Sequence, residues 1–197
     1  MIISVILAHP SIGSFNHAIA DTVRDVLNNS GHEVRFHDLY LEQFDPILPV
    51  SEVPKHAELH PLIRQHCDEI AEANGIVTIH PNWWGQPPAI MKGWIDRVIR
   101  PGVAYEFMES DTGEGVPCGL LRAKTALVLN TSNTPDDREQ KVFHDPLETI
   151  WKNCIFNLCG VSHVLRRTFN VMVTSTEMKR AHWLVEVRDL AEQTFRS

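Results

Sequence analysis

Two adjacent tryptophans and two adjacent prolines lie in HPNWWGQPPAIMKGWIDRV, residues 80–98, between an apolar run and a helical pattern. Neighbouring indole rings are costly to expose and difficult to bury together, and a loop that carries them commonly holds something flat or apolar. The loop therefore offers a hydrophobic wall for a planar ligand. Its candidate binding residues are Pro81, Asn82, Trp83 and Trp84.

A second loop, HPSIGSFNHA at residues 9–18, joins a predicted strand to the start of a predicted helix. Small polar side chains such as Ser14 and Asn16, together with free N–H groups at a helix N-terminus, favour a phosphate. The loop matches neither G-x-G-x-x-G nor G-x-x-x-x-G-K-S/T, which excludes a dinucleotide fingerprint and a Walker A loop. A capped helix start without a ligand explains the same residues, and His9 could donate to a phosphate or complete the turn.

A third loop, NTSNTPDD at residues 130–137, follows another predicted strand. Thr131, Ser132 and Asn133 offer small polar groups and backbone amides that can bond the polar edge of a heterocycle, although an ordinary helix cap has the same composition. Together the three loops supply a phosphate cradle, an aromatic wall and a polar rim. A flavin has three parts that match them, so a flavin is the predicted ligand.

The elements that position these loops alternate along the chain. Five short apolar runs predict strands, and five stretches of helical periodicity follow them, which predicts an α/β fold with a parallel sheet and right-handed crossovers. In such sheets ligands bind beyond the carboxyl ends of the strands, where the strand order reverses. The predicted strands span residues 2–9, 32–39, 75–81, 123–132 and 161–171, and the predicted helices span 10–29, 61–74, 88–99, 144–160 and 176–195.

The composition excludes several classes of protein. With 197 residues, 43% of them hydrophobic and 22% charged, the chain is expected to form a single domain over residues 1–197. A net charge of -7 and the lack of a Lys/Arg cluster argue against nucleic acid as a partner. The opening run IISVILAH is too short for a membrane span and lacks the features of a signal peptide, so a cytoplasmic location without membrane insertion is predicted.

The four cysteines show no C-x-x-C spacing. Cys154 and Cys159 fall in an apolar helical pattern, which favours buried free thiols over disulfides or zinc ligands for the set. The remaining two are Cys67 and Cys118.

Three segments carry a resemblance to a known family. AHPSIGSFNHAIAD, HDLYLEQFDPIL and, most specifically, HPNWWGQPPAIMKGWIDRVIRPGVAYEF resemble the flavodoxin-fold NAD(P)H:quinone oxidoreductases in order and spacing through about residue 160. That family includes mammalian quinone reductase, bacterial drug-activity modulators and ancillary subunits of glutathione-gated potassium efflux systems. The resemblance implies a flavodoxin-like, doubly wound, five-stranded parallel sheet of order 2-1-3-4-5 with helices on both faces.

The resemblance also assigns roles to residues of the loops. It implies that Ser14, Phe15 and Asn16 hold the flavin phosphate, with His9 nearby, and that residues 81–84 contact the ring.

A homodimer is expected on two grounds. Tyr105, in GVAYEF, matches a family tyrosine that reaches across the dimer into the partner's substrate pocket, although ordinary packing at a strand end is an alternative. The predicted helix 88–99 also carries more apolar surface than one buried face needs.

The chain departs from the family after the fourth strand. Where the family commonly has T-T-G-G followed by a Tyr and a His, this chain has NTSNTPDDREQKVFHDP, so that catalytic pair cannot be transferred. His144 is the one candidate of the right type, since a histidine can change charge near neutral pH, but a surface or cap histidine is also consistent. The chain lacks the long C-terminal extension of the larger members, which favours FMN over FAD.

The implied activity is two-electron, ping-pong transfer of hydride from NAD(P)H through the flavin to a quinone or similar electrophile. The protein would position the reactants and stabilise charge. The alternative is a regulatory flavoprotein subunit of a cation-efflux transporter. A one-electron flavodoxin carrier fits less well, because the aromatic loop and Tyr105 suggest a substrate pocket rather than an acidic docking face.

Overall fold

A central parallel sheet organises the chain, as seen in a computed structural model that describes residues 1–108, 115 and 117–196. The strand order is β2-β1-β3-β6-β7, which confirms the predicted order 2-1-3-4-5 for the five strands of this sheet. The sheet strands are β1 Ile2–Leu7, β2 Glu33–Asp38, β3 Gly75–Pro81, β6 Thr125–Thr131 and β7 His163–Phe169, and a small antiparallel ribbon consists of β4 Tyr105–Glu106 and β5 Cys118–Gly119.

The burial of the strands follows from their sequences. The nearly continuous apolar runs of β1, β3 and β6 are buried on both faces, as expected for the inner strands of a doubly wound sheet. β2 alternates apolar and polar residues and lies at the edge, which confirms the predicted edge strand. Pro81 pairs in register with Thr131, so β3 and β6 end at the same level.

Helices cover both faces of the sheet. α1 and α6 pack on one face, while α2, α3 and the helical segment before β7 pack on the other. The helices are α1 Phe15–Asn29, α2 Pro61–Glu72, α3 Ala89–Val98, α4 Asp136–Lys141, α5 Pro146–Glu148 and α6 Glu177–Thr194, and α5 continues into a π-helix over Thr149–Phe156. Among the described helices, none combines the length and the apolar composition needed to cross a bilayer.

Two helical features differ from the sequence prediction. α4 was not predicted, because DDREQK contains no apolar periodicity. The helix predicted over residues 144–160 begins at Pro146 and widens into the π-helix. The wider turn brings Trp151 and Phe156, five residues apart, to one face, where their rings stack with centroids 5.4 Å apart.

Burial of the cysteines is also only partly as predicted. All four are free, but only Cys67 and Cys159 are buried, while Cys118 and Cys154 are exposed. Cys154 lies on the outer side of the π-helix, whose inner side carries Trp151 and Phe156.

The apolar residues of α3 are largely used inside the molecule. Ile90, Met91, Trp94 and Val98 are buried, and Ile95 is only partly exposed, so the expected surplus of apolar surface on this helix was wrong. Exposed apolar side chains lie instead beside the ribbon, at Phe107, Met108 and Leu120. The homodimer itself stays a prediction.

Candidate functional site

The three predicted loops meet at the carboxyl ends of β1, β3 and β6. The Asn16 Nδ2 group of the first loop donates to Thr131 Oγ1 at 2.9 Å, and the Asn82 N–H donates to the Thr131 carbonyl at 2.7 Å. One threonine thus joins all three segments. Because β1 lies next to β3 and β3 next to β6, the loops share one edge of the sheet, which is where doubly wound folds bind ligands.

The first loop ends in a capped helix. Ser14 is the N-cap of α1, and its side chain accepts a hydrogen bond from the His17 N–H. Phe15 and Asn16 form the first turn, where N–H groups have no intrahelical acceptor and the helix dipole is positive. The arrangement therefore presents donors to an anion in front of α1.

Two histidines and one carboxylate surround this cap. His9 Nδ1 accepts from the Ser11 N–H at 3.1 Å, and burial lowers the pKa of His9, so the neutral ring carries its proton on Nε2. Ser14 Oγ lies 2.9 Å from His17 Nδ1, and His17 Nε2 lies 3.0 Å from Asp38 Oδ2. His17 and Asp38 were not among the predicted site residues, although both fall within the segments that resemble the family.

Asn16 has an unused acceptor. Its side chain is 2% exposed, and Nδ2 is bonded to Thr131, but the buried Oδ1 has no hydrogen-bond partner among the described residues. Buried side-chain oxygens are normally paired. This oxygen is therefore available for a donor group of a ligand.

The tryptophan loop is a two-residue turn. Trp83 and Gln86 exchange two backbone hydrogen bonds of 3.0 Å each, and the two residues between them have positive φ, 59° at Trp84 and 72° at Gly85. A β-carbon on Gly85 would lie 2.7 Å from Pro146 Cγ, so this position requires glycine. The Asn82 Oδ1 atom accepts from the Gly85 N–H at 2.9 Å and stabilises the turn.

Trp84 is unusual in both backbone and burial. Its side chain is 100% exposed, and a left-handed conformation costs a non-glycine residue roughly 1–2 kcal/mol. Trp83 is 42% exposed. Strain and exposure at one aromatic residue are typical of a ligand contact rather than of packing.

A cavity of about 630 Å³, here called the tryptophan cavity, lies between this turn and the segment after β6. Its walls include Asn82, Trp84, Asn133 and Glu139. Asn133 is exposed at the cavity, although its Oδ1 accepts from the Val173 N–H at 2.9 Å.

Thr131 and Ser132 are buried and serve mainly to join loops. Ser132 Oγ accepts from the Thr134 N–H at 3.0 Å, and the Ser132 N–H donates to the Phe169 carbonyl at 3.0 Å. Thr131 carries the bonds to Asn16 and Asn82 described above. Among the three predicted rim residues, Asn133 is the one that lines the tryptophan cavity.

A buried polar network supports Pro81 from below. His80 Nδ1–H donates to the Pro81 carbonyl at 2.9 Å, and His80 Nε2 accepts from the Trp151 indole N–H at 2.9 Å. Burial lowers the pKa of His80 to about 4, so the ring is neutral and each nitrogen has a fixed role. The start of the tryptophan loop is therefore held rigidly.

The two predicted catalytic residues lie outside the tryptophan cavity. Tyr105 lines a separate cavity of about 380 Å³ together with Ile95, Phe107 and Cys154, and burial raises the pKa of its hydroxyl. His144 is exposed, with φ 58°, and lines a third cavity of about 470 Å³. Within one chain the structure does not bring them together, and their catalytic roles stay predictions.

Comparisons with known proteins agree with this architecture. The family of flavodoxin-like fold, Flavodoxin_2, matches residues 1–190. An uncharacterized NAD(P)H oxidoreductase of Haemophilus influenzae is 35% identical over 164 residues, which cover 81% of this chain and 79% of that protein. NAD(P)H dehydrogenase [quinone] 1 of Rattus norvegicus is 30% identical over 179 residues, which cover 79% of this chain but only 64% of the rat protein.

Among solved structures, the NAD(P)H:quinone oxidoreductase from Methanothermobacter marburgensis superposes with a TM-score of 0.84 at 24% identity, covering 100% of this chain and 98% of the other. At that identity the superposition establishes the fold alone. The doubly wound sheet, with a site at the ends of its central strands, defines a flavodoxin-like protein. The chain belongs to the flavodoxin-like family that includes the NAD(P)H:quinone oxidoreductases, and it is an oxidoreductase.

Proposed function

We propose that the protein binds FMN and reduces a quinone or similar electrophile with NAD(P)H, in a two-electron ping-pong cycle. The observation that carries the proposal is the tryptophan cavity, where a strained, fully exposed Trp84 faces the segment after β6. The classes of substrate are taken from the names of the relatives, and the site is taken from the residues of this chain.

The residues present fit the three parts of a flavin. The start of α1, with Ser14 as cap and free N–H groups at Phe15 and Asn16, suits the phosphate. The unpartnered Asn16 Oδ1 suits a hydroxyl of the chain that joins phosphate and ring. Trp84 and Asn133 suit the apolar face and the polar rim of the ring.

A bound flavin would supply the redox chemistry, accepting two electrons with hydride from NAD(P)H and passing them to the acceptor. The chain's own part is to bind and orient. Trp83 and Trp84 would exclude water from the ring, while His80 holds the Pro81 carbonyl and so fixes where the loop begins. His9 and Ser14 would position the phosphate.

A homodimer would complete the pocket. Tyr105 lies away from the tryptophan cavity of its own chain, beside the exposed Phe107 and Met108. We propose that this surface meets a second copy and that Tyr105 lines the copy's substrate pocket. Sedimentation of the flavin-loaded protein at micromolar concentration is expected to give a dimer, and a monomer would contradict it.

The first experiment is the visible spectrum of the purified protein, followed by chromatography of the released cofactor. Flavin absorption and released FMN are expected. Release of FAD instead would show that the cofactor is FAD and not FMN. A colourless protein that takes up neither flavin on titration would overturn the proposal. Purification from cells with a cation transporter attached would favour the regulatory-subunit alternative, for which the described residues offer no specific argument.

Trp84→Ala tests the ring site directly. Loss of about 80 Å² of apolar contact, at about 25 cal/mol per Å², costs about 2 kcal/mol, or roughly 30-fold in FMN affinity. Val185→Ala on α6 removes an exposed apolar side chain elsewhere and is expected to leave FMN affinity unchanged. Parental affinity in Trp84→Ala would remove Trp84 from the site.

A further inference from the structure

We propose that Glu139 is the acid–base residue of the site: its carboxyl gives a proton to the reduced acceptor and regains one through a polar cavity on its other side. The inference rests on the function proposed above, because it concerns the proton that quinone reduction requires. It assigns chemistry to a residue that the sequence analysis did not select.

Glu139 is buried within an otherwise exposed helix. Its residue is 6% exposed, whereas the other five residues of α4 are exposed. The backbone of Glu139 is fully used, since its N–H donates to the Pro135 carbonyl and its carbonyl accepts from the Asp145 N–H, each at 3.0 Å. The bonds that Glu139 makes within this segment are thus bonds of its backbone.

The Glu139 carboxyl has an oxygen without a partner. Oε1 is buried, and no donor among the described residues reaches it. An ionisable group buried without a partner destabilises a fold, so such a group is expected where a ligand or a proton uses it. Asn16 Oδ1, on the first loop, is an orphan of the same kind.

The position of Glu139 connects two cavities. It lines the tryptophan cavity together with Asn82 and Trp84. It also lines the third cavity, here called the polar cavity, together with His144 and Asp145. Glu139 is thus a shared wall between the ligand side and a second, polar space.

The polar cavity is suited to water. Asp145 is 8% exposed, and its buried Oδ1 has no partner within the described part of the chain. Arg166, which also lines this cavity, donates to Asp145 Oδ2, to Glu148 Oε2 at 2.9 Å and to Asn130 Oδ1 at 3.1 Å. A cavity of about 470 Å³ with orphan oxygens and charged walls has room and partners for water molecules. His144, which is exposed, also lines this cavity.

The proton balance of the proposed reaction requires such a group. NAD(P)H, one proton and a quinone give NAD(P)⁺ and a hydroquinone. The C–H bond of the dihydronicotinamide breaks and supplies two electrons and one hydrogen, and the second hydrogen comes from an acid. We assign that acid to Glu139: its O–H bond breaks as the acceptor's O–H bond forms, and water in the polar cavity then returns a proton to the carboxylate.

His144 cannot replace Glu139 in this role. It lines the polar cavity and is not among the residues that line the tryptophan cavity.

The test compares the parent with Glu139→Gln and with Asp137→Asn, all loaded with FMN. Asp137 lies on the same helix, is exposed and pairs with Lys141, so it is the matched control. The measurements are FMN affinity, melting temperature without cofactor, and the rates of reduction by NAD(P)H and of reoxidation by quinone across pH.

Glu139→Gln is expected to keep FMN affinity within about threefold of the parent's and to melt at or above the parent's temperature. Its reoxidation by quinone is expected to be about 100-fold slower, and the rate of that step should no longer depend on pH. Asp137→Asn is expected to match the parent. Glu139→Asp, which keeps a retracted carboxyl, should retain the pH dependence at a reduced rate.

Parental reoxidation and pH dependence in Glu139→Gln would overturn the assignment of the acid. So would a melting temperature several degrees below the parent's, since that would make Glu139 a residue of the fold. A parent protein that binds no flavin, or that binds it and does not oxidise NAD(P)H with a quinone, would overturn the proposed function and this inference together.

Discussion

The carboxylates packed around the end of β2 and those beyond β6 differ in how fully their oxygens are paired. His37, in β2, bonds the half-buried Glu42 Oε1 and Glu69 Oε2 at 2.7 Å each, and His66 bonds Glu42 Oε2 at 3.0 Å. These four side chains are called the partnered cluster. Beyond β6, the buried Glu139 Oε1 and Asp145 Oδ1 have no partner among the described residues, although Asp145 Oδ2 is paired with Arg166.

The same contrast holds for the backbone. Among the described residues, four other than glycine have positive φ, and three of them, Trp84, His144 and Asp145, lie on the β6 side around the two cavities. The fourth, Gln43, adjoins the partnered cluster. The paired charges around β2 stabilise the fold. The unpaired oxygens and strained backbone beyond β6 destabilise it, and a bound ligand can offset this by supplying hydrogen bonds and contacts.

The pKa values of the partnered cluster express its pairing. Burial alone would raise the pKa of Glu42, but hydrogen bonds from His37 and His66 outweigh it and lower the pKa to about 2. Burial alone would lower the pKa of His37, but Glu42 and Glu69 outweigh it and raise it. The result is a protonated His37 between two carboxylates.

The largest effect is expected for His37→Ala. Removing the cation leaves the half-buried carboxylates of Glu42 and Glu69 without their shared partner, and because both keep some contact with water the cost is about 3 kcal/mol. Arg35→Ala, on the same strand, breaks exposed ion pairs with Glu33 and Glu72 and should cost less than about 1 kcal/mol. Urea unfolding measures both, and equal losses would remove the contrast between buried and exposed pairs.

Acid stability should depend on Glu42. Its pKa lies well below the usual value of 4.5, so its contribution to the free energy of unfolding is complete above pH 4.5 and is lost as the pH falls through about 2, to a total of about 3 kcal/mol. The pKa of His80 is about 4 instead of the usual 6.5, so its neutral ring lowers the free energy of unfolding in a different window, as the pH falls from 6.5 through about 4. Glu42→Gln should therefore flatten only the lower part of the stability profile. An unchanged slope below pH 4.5 would contradict this assignment.

A gain of about 1 kcal/mol is expected for Trp84→Asn in the protein without cofactor, because asparagine tolerates the left-handed conformation and no buried contact is lost. The same change should weaken FMN binding. Trp83→Asn, at the neighbouring position without positive φ, should give no such gain in thermal unfolding. If both variants were destabilised alike, the cost attributed to Trp84 would be absent.

The smallest effect on stability is expected for Tyr105→Phe. It removes one hydroxyl from a half-buried ring and should change the free energy of unfolding by less than about 0.5 kcal/mol. FMN affinity should be retained, while turnover with quinone should change if Tyr105 reaches a partner's pocket. Turnover equal to the parent's would mean that Tyr105 serves in ordinary packing and not in the substrate pocket.

The sequence was most informative where one local pattern determines structure. The strands β1 and β3 and the capped start of α1 at Ser14 could be predicted, because strand burial and capping depend on neighbouring residues. The loop that carries Trp83 and Trp84 was found from its composition, but the left-handed φ of Trp84 was not, since it depends on the turn closing between Trp83 and Gln86.

Features that depend on distant partners were not predictable. Glu139 stands in the wholly polar DDREQK, which is typical of a solvent-facing helix, and its burial comes from packing beside the two cavities. The partnered cluster joins His37 to Glu69, 32 residues away, and no local pattern reveals that pairing. Propensity and spacing carry no information on such contacts.

The hydrogen bond between Trp94 and His66 has a consequence for metal ions. His37, Glu42 and His66 present ligand atoms within 4.8 Å of one another, a set that could bind zinc. An indole N–H can only donate, so the His66 Nδ1 that it contacts at 3.0 Å must be the bare nitrogen, and Nε2 carries the proton. The nitrogen that faces Glu42 therefore has no lone pair to offer, and added Zn²⁺ is expected to leave the melting temperature unchanged. By fixing the tautomer of His66, Trp94 thus keeps a set of residues with the spacing of metal ligands bonded to one another through protons instead of through a metal ion.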